Sequence, residues 1–332
     1  MKEVKIIYNN NKNIVLDGGI GIIEMLYKSN ILALVGGGKN PKFTPNKVIL
    51  WDDYQTKILT EFKFPLSVKN VKLKKDKIFV VCEQKIYVYS MDKFKLIESI
   101  DTFINKLGII GINTGESFTI LAYPSNPIGF MKVKYYEKSQ EVTINVHDSY
   151  LTYIVISNDG NLIAVSAQKC PLIRLFSIEK GEFIEEFRVS AIYMNINYLI
   201  FSPNTEFLGA CSDNGIIHIW SLGSSWKIVR EKGIEIENLQ IDENRLPINR
   251  KSFLSILPKF LTGGAFDSMK SFAKVKLNDE QSICAFGEDN FIIAVSNTGV
   301  YYKAKMDPIK GGHCNIIQEE EFNNIKSNNV DF

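Results

Sequence analysis

The chain has 332 residues, 45% of them hydrophobic and 23% charged, and a formal net charge of +2. That is enough apolar material for a large core and too little net charge for a whole-molecule field that would draw the protein to nucleic acid or membrane, so any basic surface must be local. No apolar run approaches the ~18–20 residues that span a bilayer, and the opening MKEVKIIYNNNK has no apolar signal-peptide core.

In chain order the sequence predicts short strands almost throughout. Residues 1–20 supply at most two, IIYNN and NIVLD. ILALVGG, KVILWDD, KIFVVCE, KIYVYS, FTILAYP, YIVISND, LIAVSA, LIRLFS, YLIFSPN, IIHIWS, SICAFGE, FIIAVSN and VYYKAKM follow. Each is rich in β-branched and aromatic residues and is bounded by Gly, Asn, Asp or Pro. Turn triplets recur between them: Asn158-Asp159-Gly160, Asp213-Asn214-Gly215 and Asn297-Thr298-Gly299. The strands IRLFS and IHIWS begin 44 residues apart, within the ~40–45-residue period of a four-stranded propeller blade. The expected fold class is therefore all-β, a WD-type β-propeller, with a single domain over 1–332. Blades are expected at 21–60, 68–100, 106–145, 146–187, 196–229 and 272–306. Residues 223–271 break the rhythm. Their first part is charged and reads as a loop, with a long insertion expected over 230–271; residues 250–261 interleave basic and large apolar side chains. A loop of that length inside a compact repeat is functional or disordered.

Chemistry-bearing motifs are sparse. Cys82, Cys170, Cys211, Cys284 and Cys314 are scattered, with no C-x-x-C, and point to reduced thiols in a cytoplasmic protein. His147, His218 and His313 are isolated, and neither H-E-x-x-H nor G-x-S-x-G occurs, so no enzyme, metal site or cofactor is expected. His147-Asp148-Ser149 are neighbours on strand text, where successive side chains point to opposite faces. Gly36-Gly37-Gly38-Lys39-Asn40 lacks the spacing of a phosphate loop and reads as a turn. With Lys42 and Phe43, Lys39 and Asn40 make a candidate partner-binding loop.

Several runs carry a resemblance. They are GGIGIIEMLYKSNILALVGGGKNPKFTPNKVILWDD, FPLSVKNVKLKKDKIFVVCEQKIYVYS, the block 147–222, KSFLSILPKF, SICAFGEDN and GGHC. Together they resemble the PROPPIN family, also called the WIPI proteins, in its short-loop branch, over nearly the whole chain. The resemblance implies a seven-bladed propeller in which MKEVKIIYNN falls on the third strand of the first blade, leaving that blade incomplete. It implies a cytoplasmic monomer, bound peripherally to autophagosomal and endosomal membranes through phosphatidylinositol 3-phosphate or the 3,5-bisphosphate. Its implied partner is the large lipid-transfer protein of autophagy.

The family's lipid signature is Phe/Leu-Arg-Arg-Gly at a strand end, with two arginines serving separate pockets. A planar guanidinium suits phosphate oxygens. Here the signature reads Phe187, Arg188, Val189, Ser190. Arg188 matches the first arginine; Val189 replaces the second and can offer neither charge nor hydrogen bond. The family's hydroxyl-rich run before IRVF becomes 165–171 with Ala167. Its Asp, Arg and Tyr after the signature become Ala191, Ile192, Tyr193 and Met194, and the Thr ahead of the histidine becomes Ile216. Ser212 and His218 match. The resemblance thus implies a degenerate phosphoinositide site at Arg188, Ser212 and His218, weak or lost. Without it, Arg188 reads as a solvated strand-end arginine and His218 as a packed strand histidine.

Residues 250–261 resemble the family's membrane-inserting loop. Phe253, Leu254, Ile256, Leu257, Phe260 and Leu261 would enter the acyl boundary while Arg250, Lys251 and Lys259 meet anionic headgroups. The alternative is an apolar segment folded onto its own blade. One such loop binds weakly alone, because stable anchoring takes two signals. Two functional readings stay open: a phosphoinositide-effector adaptor with weakened lipid sites, and a protein–protein scaffold that has lost lipid binding.

Overall fold

The computed structural model describes residues 18–231, 246–247, 249 and 268–321, preceded by the backbone of a hairpin, Val4–Ile7 against Asn13–Leu16. Among the described residues, strands form six sheets of four or five members besides that hairpin. The fold is an all-β propeller. Contacts group the chain into two compact units, one through Ile110 and one from Gly111.

The first unit holds two sheets. One runs Ile20–Met25, Ile31–Gly36, Lys47–Asp52, Lys57–Lys63; the other runs Val68–Leu73, Lys77–Cys82, Lys85–Ser90, Leu96–Asp101. The second strand of each, ILALVG and KIFVVC, is apolar on both faces and almost wholly buried. The outer strand LIESID is mostly exposed and alternates. This gradient is what sheets packed face to face demand, since inner strands are covered on both sides. Ala33, Val48, Leu50, Phe62, Val71 and Val80 fill the space between these two sheets.

The second unit holds four sheets. The third sheet of the chain runs Gly111–Ile112, Ile120–Ser125, Phe130–Tyr135, Gln140–Asn145. The fourth runs Leu151–Ile156, Leu162–Ala167, Leu172–Ser177, Phe183–Arg188 and then Met269–Lys270, the last in parallel. The fifth runs Ile196–Phe201, Phe207–Ser212, Ile216–Ser221, Ala273–Lys276 and then Gly312–His313, again parallel at the end. The sixth runs Ser282–Phe286, Phe291–Ser296, Val300–Lys305, Asn315–Glu321. IRLFS and IHIWS each form the third strand of their sheet, so their 44-residue spacing is one blade period.

The structure differs from the sequence reading in three places. Residues 223–231 are not a loop: Gly223–Glu231 is an α-helix, and Trp226 and Val229 sink into the core beside Trp220 and Leu222. The Trp226 indole N–H donates to the Thr205 carbonyl at 3.1 Å. Apolar residues three apart share a helix face, and this packing overrides the charged composition. The fifth sheet is therefore completed not by residues near 229 but by Ala273–Lys276, antiparallel to Ile216–Ser221. The sixth sheet starts at Ser282 instead of 272 and ends at Glu321. The text AKVKL alternates as well as any strand, so its pattern did not say which sheet owned it.

Candidate functional site

Alternation separates Phe187 and Arg188, at the end of the strand Phe183–Arg188, and Val189 just past it. Phe187 and Val189 share one face and enter the core between the fourth and fifth sheets, where Phe187 lies 5.5 Å from Trp220. Val189 is only 7% exposed. Its backbone N–H is tied to the Pro171 carbonyl at 2.9 Å. Arg188 stands on the opposite face, half-buried. Its Nε donates to Ser268 Oγ at 2.8 Å, and an Nη donates to the Ser190 carbonyl at 3.5 Å. Lys270 is its register partner on the parallel strand, so two cations sit side by side at this sheet end. Two residues back on the same face, Glu186 receives Arg174 Nε at 3.1 Å; Arg174 also donates to the Val146 carbonyl at 3.1 Å.

The other face of the interface belongs to His218. It pairs in register with Lys274, which pairs with His313, so the three share one face of the fifth sheet. His218 is 2% exposed, stacked at 5.7 Å and 16° on Trp220, two residues on. Its Nδ1 shares a 3.3 Å hydrogen bond with Ser271 Oγ, while Nε2 is buried with no partner. Burial, helped by the Lys274 charge, pushes its pKa down to about 3, so the ring is neutral at physiological pH.

Ser212 does not join either group. It is buried, and its hydroxyl is used inside its own turn, 2.6 Å from Asn214 Oδ1 and 2.8 Å from the Ile216 carbonyl. His147 likewise serves the fold: it is buried, with Nε2 3.1 Å from the Val165 carbonyl. The membrane-loop residues Arg250, Lys251, Phe253, Leu254, Ile256, Leu257, Lys259, Phe260 and Leu261 lie outside the described residues. In the first unit, Lys39, Asn40 and Lys42 are exposed, whereas Phe43 packs against Leu32, Leu34 and Ile49. The turn carrying them folds back on Gly19, whose N–H donates to the Asn40 carbonyl at 2.7 Å. A Cβ at Gly36 would come within 1.6 Å of the Phe43 carbonyl oxygen, so only glycine fits there.

Sequence reasoning missed Ser268, Lys270, Ser271 and Lys274. Ser268 and Ser271 are the direct partners of Arg188 and His218. The signal was present in SMKSFAKVK, serines and lysines leading into alternating strand text, but it stands 80 residues beyond Arg188.

A PROPPIN family profile matches residues 10–322. The chain belongs to the PROPPIN family. Among curated PROPPIN relatives, Autophagy-related protein 18e of Arabidopsis thaliana is 31% identical over 309 residues, covering 92% of this chain and 77% of the plant protein. SVP1-like protein 2 of Schizosaccharomyces pombe is 33% identical over 218 residues, 65% of this chain and 60% of that relative. The chain thus spans under two thirds of the fission-yeast protein. Among solved PROPPIN structures, Hsv2 of Kluyveromyces marxianus superposes with a TM-score of 0.69 at 18% identity, covering 94% of this chain and 88% of the other. A complex of KlAtg21 with the coiled-coil of AgAtg16 gives 0.68 at 19% identity, covering 91% and 84%. At these identities the structures speak to the propeller fold alone. Val189, which the resemblance sets at the place of the signature's second arginine, is a core residue of this chain.

Proposed function

We propose that this PROPPIN is a phosphoinositide-effector adaptor of autophagy, recruiting autophagy or lipid-transfer machinery to membranes marked with phosphatidylinositol 3-phosphate, through weakened lipid sites. The observation that carries this reading is the pairing of Arg188 with Lys270, with Ser268 holding the guanidinium Nε. Paired cations on a rigid sheet end favour a phosphate group. The amphipathic text of 250–261 supplies the second, apolar signal that peripheral binding requires. The name of the plant relative supports an autophagy role, and the KlAtg21–AgAtg16 complex is a precedent for a protein partner. The protein would act from the cytoplasm as a monomer. No described helix is long and apolar enough to cross a membrane.

A second reading has its own support. Val189 is committed to the core, and His218 is buried and neutral. A propeller so altered would keep only protein contacts, with Lys39 and Lys42 as candidate contributors. Liposome flotation with and without phosphatidylinositol 3-phosphate separates the two. The adaptor reading expects lipid-dependent flotation that is lost in Arg188→Ala and in Phe253→Asp/Leu257→Asp. Equal flotation with plain vesicles, or none, would leave the scaffold reading, whose own check is weaker capture of the lipid-transfer partner by Lys39→Glu or Lys42→Glu.

A further inference from the structure

Directly after Arg188 the chain makes a short loop in which Met194 packs against the core while its two other large apolar side chains are left exposed. Ile192 is 71% exposed and Tyr193 84% exposed. They stand between two core residues, Val189 and Ile196, so the chain dives inward on either side of them. The loop is pinned at both ends. The Ser190 hydroxyl accepts the Ile192 N–H at 3.2 Å, and the Ser190 carbonyl accepts from Arg188. At the far end, Asn195 donates its backbone N–H and its side-chain amide to Asp213 Oδ2 at 3.2 and 3.0 Å.

We propose that Ile192 and Tyr193 form a membrane-contacting tip for a bilayer with anionic headgroups. The inference rests on the adaptor reading above and adds a contact surface to it. Arg188 and Lys270 stand at the base of the tip. Exposed Lys169 lies on the neighbouring turn, which is tied to this one by the Val189–Pro171 hydrogen bond. The acid at the loop's end, Asp213, is held by Asn195. An aliphatic and an aromatic side chain flanked by cations match the layered chemistry of a lipid surface, apolar below and anionic above. Two side chains fall far short of the ~800 Å² per partner that a stable protein interface buries. A bilayer, by contrast, takes up side chains singly.

The test uses the full chain. Tyr193→Trp places an indole at the tip, distinct from the buried Trp220 and Trp226 and the half-buried Trp51, whose emission is subtracted with the parent protein's spectrum on the same vesicles. On vesicles of phosphatidylcholine, phosphatidylserine and phosphatidylinositol 3-phosphate, its emission is expected to shift to the blue and to be quenched by brominated acyl chains. Ile192→Asp/Tyr193→Asp, with a thermal transition like the parent's because both side chains are exposed, is expected to float about tenfold less well. Wild-type flotation with an unshifted indole and an undiminished double variant would overturn the tip and leave the adaptor reading intact. Absence of wild-type flotation on any vesicle would overturn both. Unchanged flotation combined with loss of a captured protein in the double variant would assign the tip to a protein and overturn the membrane inference.

Discussion

Arg188 Nε donates to Ser268 Oγ across 80 residues of sequence, at 2.8 Å. The bond joins the end of the strand Phe183–Arg188 to the point where the described chain resumes at Ser268. Ser268 is buried, so its loss should be felt. Ser268→Ala is expected to cost about 1–2 kcal/mol in urea unfolding. The double variant Arg188→Ala/Ser268→Ala should cost no more than Arg188→Ala alone. Full additivity of the two single effects would mean that the pair is not coupled.

Val189→Arg, which rewrites the signature as two arginines, is expected to destabilise. The site lies among Phe187, Ile196 and Met269 in the core, and a guanidinium there must be left unpaired or must displace its neighbours. We expect a loss of about 2–4 kcal/mol, against less than about 1.5 kcal/mol for Val189→Ile. A urea midpoint for Val189→Arg equal to the parent's would refute the placement of Val189.

Two buried histidines set an acid limit on stability. Burial lowers the pKa of His147 from 6.5 to about 4 and that of His218 from 6.5 to about 3. As the pH falls through this window the unfolded chain takes up a proton that the folded ring refuses, so stability falls with it. The slope is about 1.4 kcal/mol per pH unit for each histidine, and it vanishes above about pH 7.5, where both states are neutral. Urea midpoints measured from pH 7.5 to 4.5 should show it. His218→Phe, which can keep the stacking on Trp220, should remove about half of the two-histidine slope.

Glu185 receives the hydroxyls of Ser224 and Ser225 at the start of the helix Gly223–Glu231. It is a buried carboxylate at a positive helix end, supplied by a neighbouring strand. Glu185→Ala leaves both hydroxyls without that acceptor and should cost about 1–3 kcal/mol. Trp226 sits one turn into the helix, so its near-ultraviolet dichroism should weaken before the rest of the fold melts. An unchanged Trp226 signal would argue against this anchor.

The strands were legible because β-branched runs and Asn-Gly or Asp-Gly turns mark them locally, and IRLFS and IHIWS carry the blade period in plain text. Ownership of strands was not. Nothing local in AKVKL says that it completes the sheet before the insertion and not the sheet after it. The helix was hidden because Trp226 and Val229 make only one apolar contact face in a charged run. At the site, Arg188 was legible as a motif position, whereas Ser268 became its partner only through a parallel strand pairing. Ser212 matched by residue type, yet its hydroxyl is spent on Asn214 and Ile216. A sequence match gives a side chain's chemistry, and the backbone decides which way that chemistry points.

The fifth sheet has a consequence for biogenesis. Its strand Ile216–Ser221 pairs with Ala273–Lys276, which leaves the ribosome only after the whole insertion has been made. At ~5–20 residues per second, that is a wait of several seconds. Meanwhile IIHIWS, buried in the finished protein, shows an open hydrogen-bonding edge to everything in the cell. The length of chain between these two paired strands therefore sets how long the nascent chain stays open to strand exchange with its neighbours.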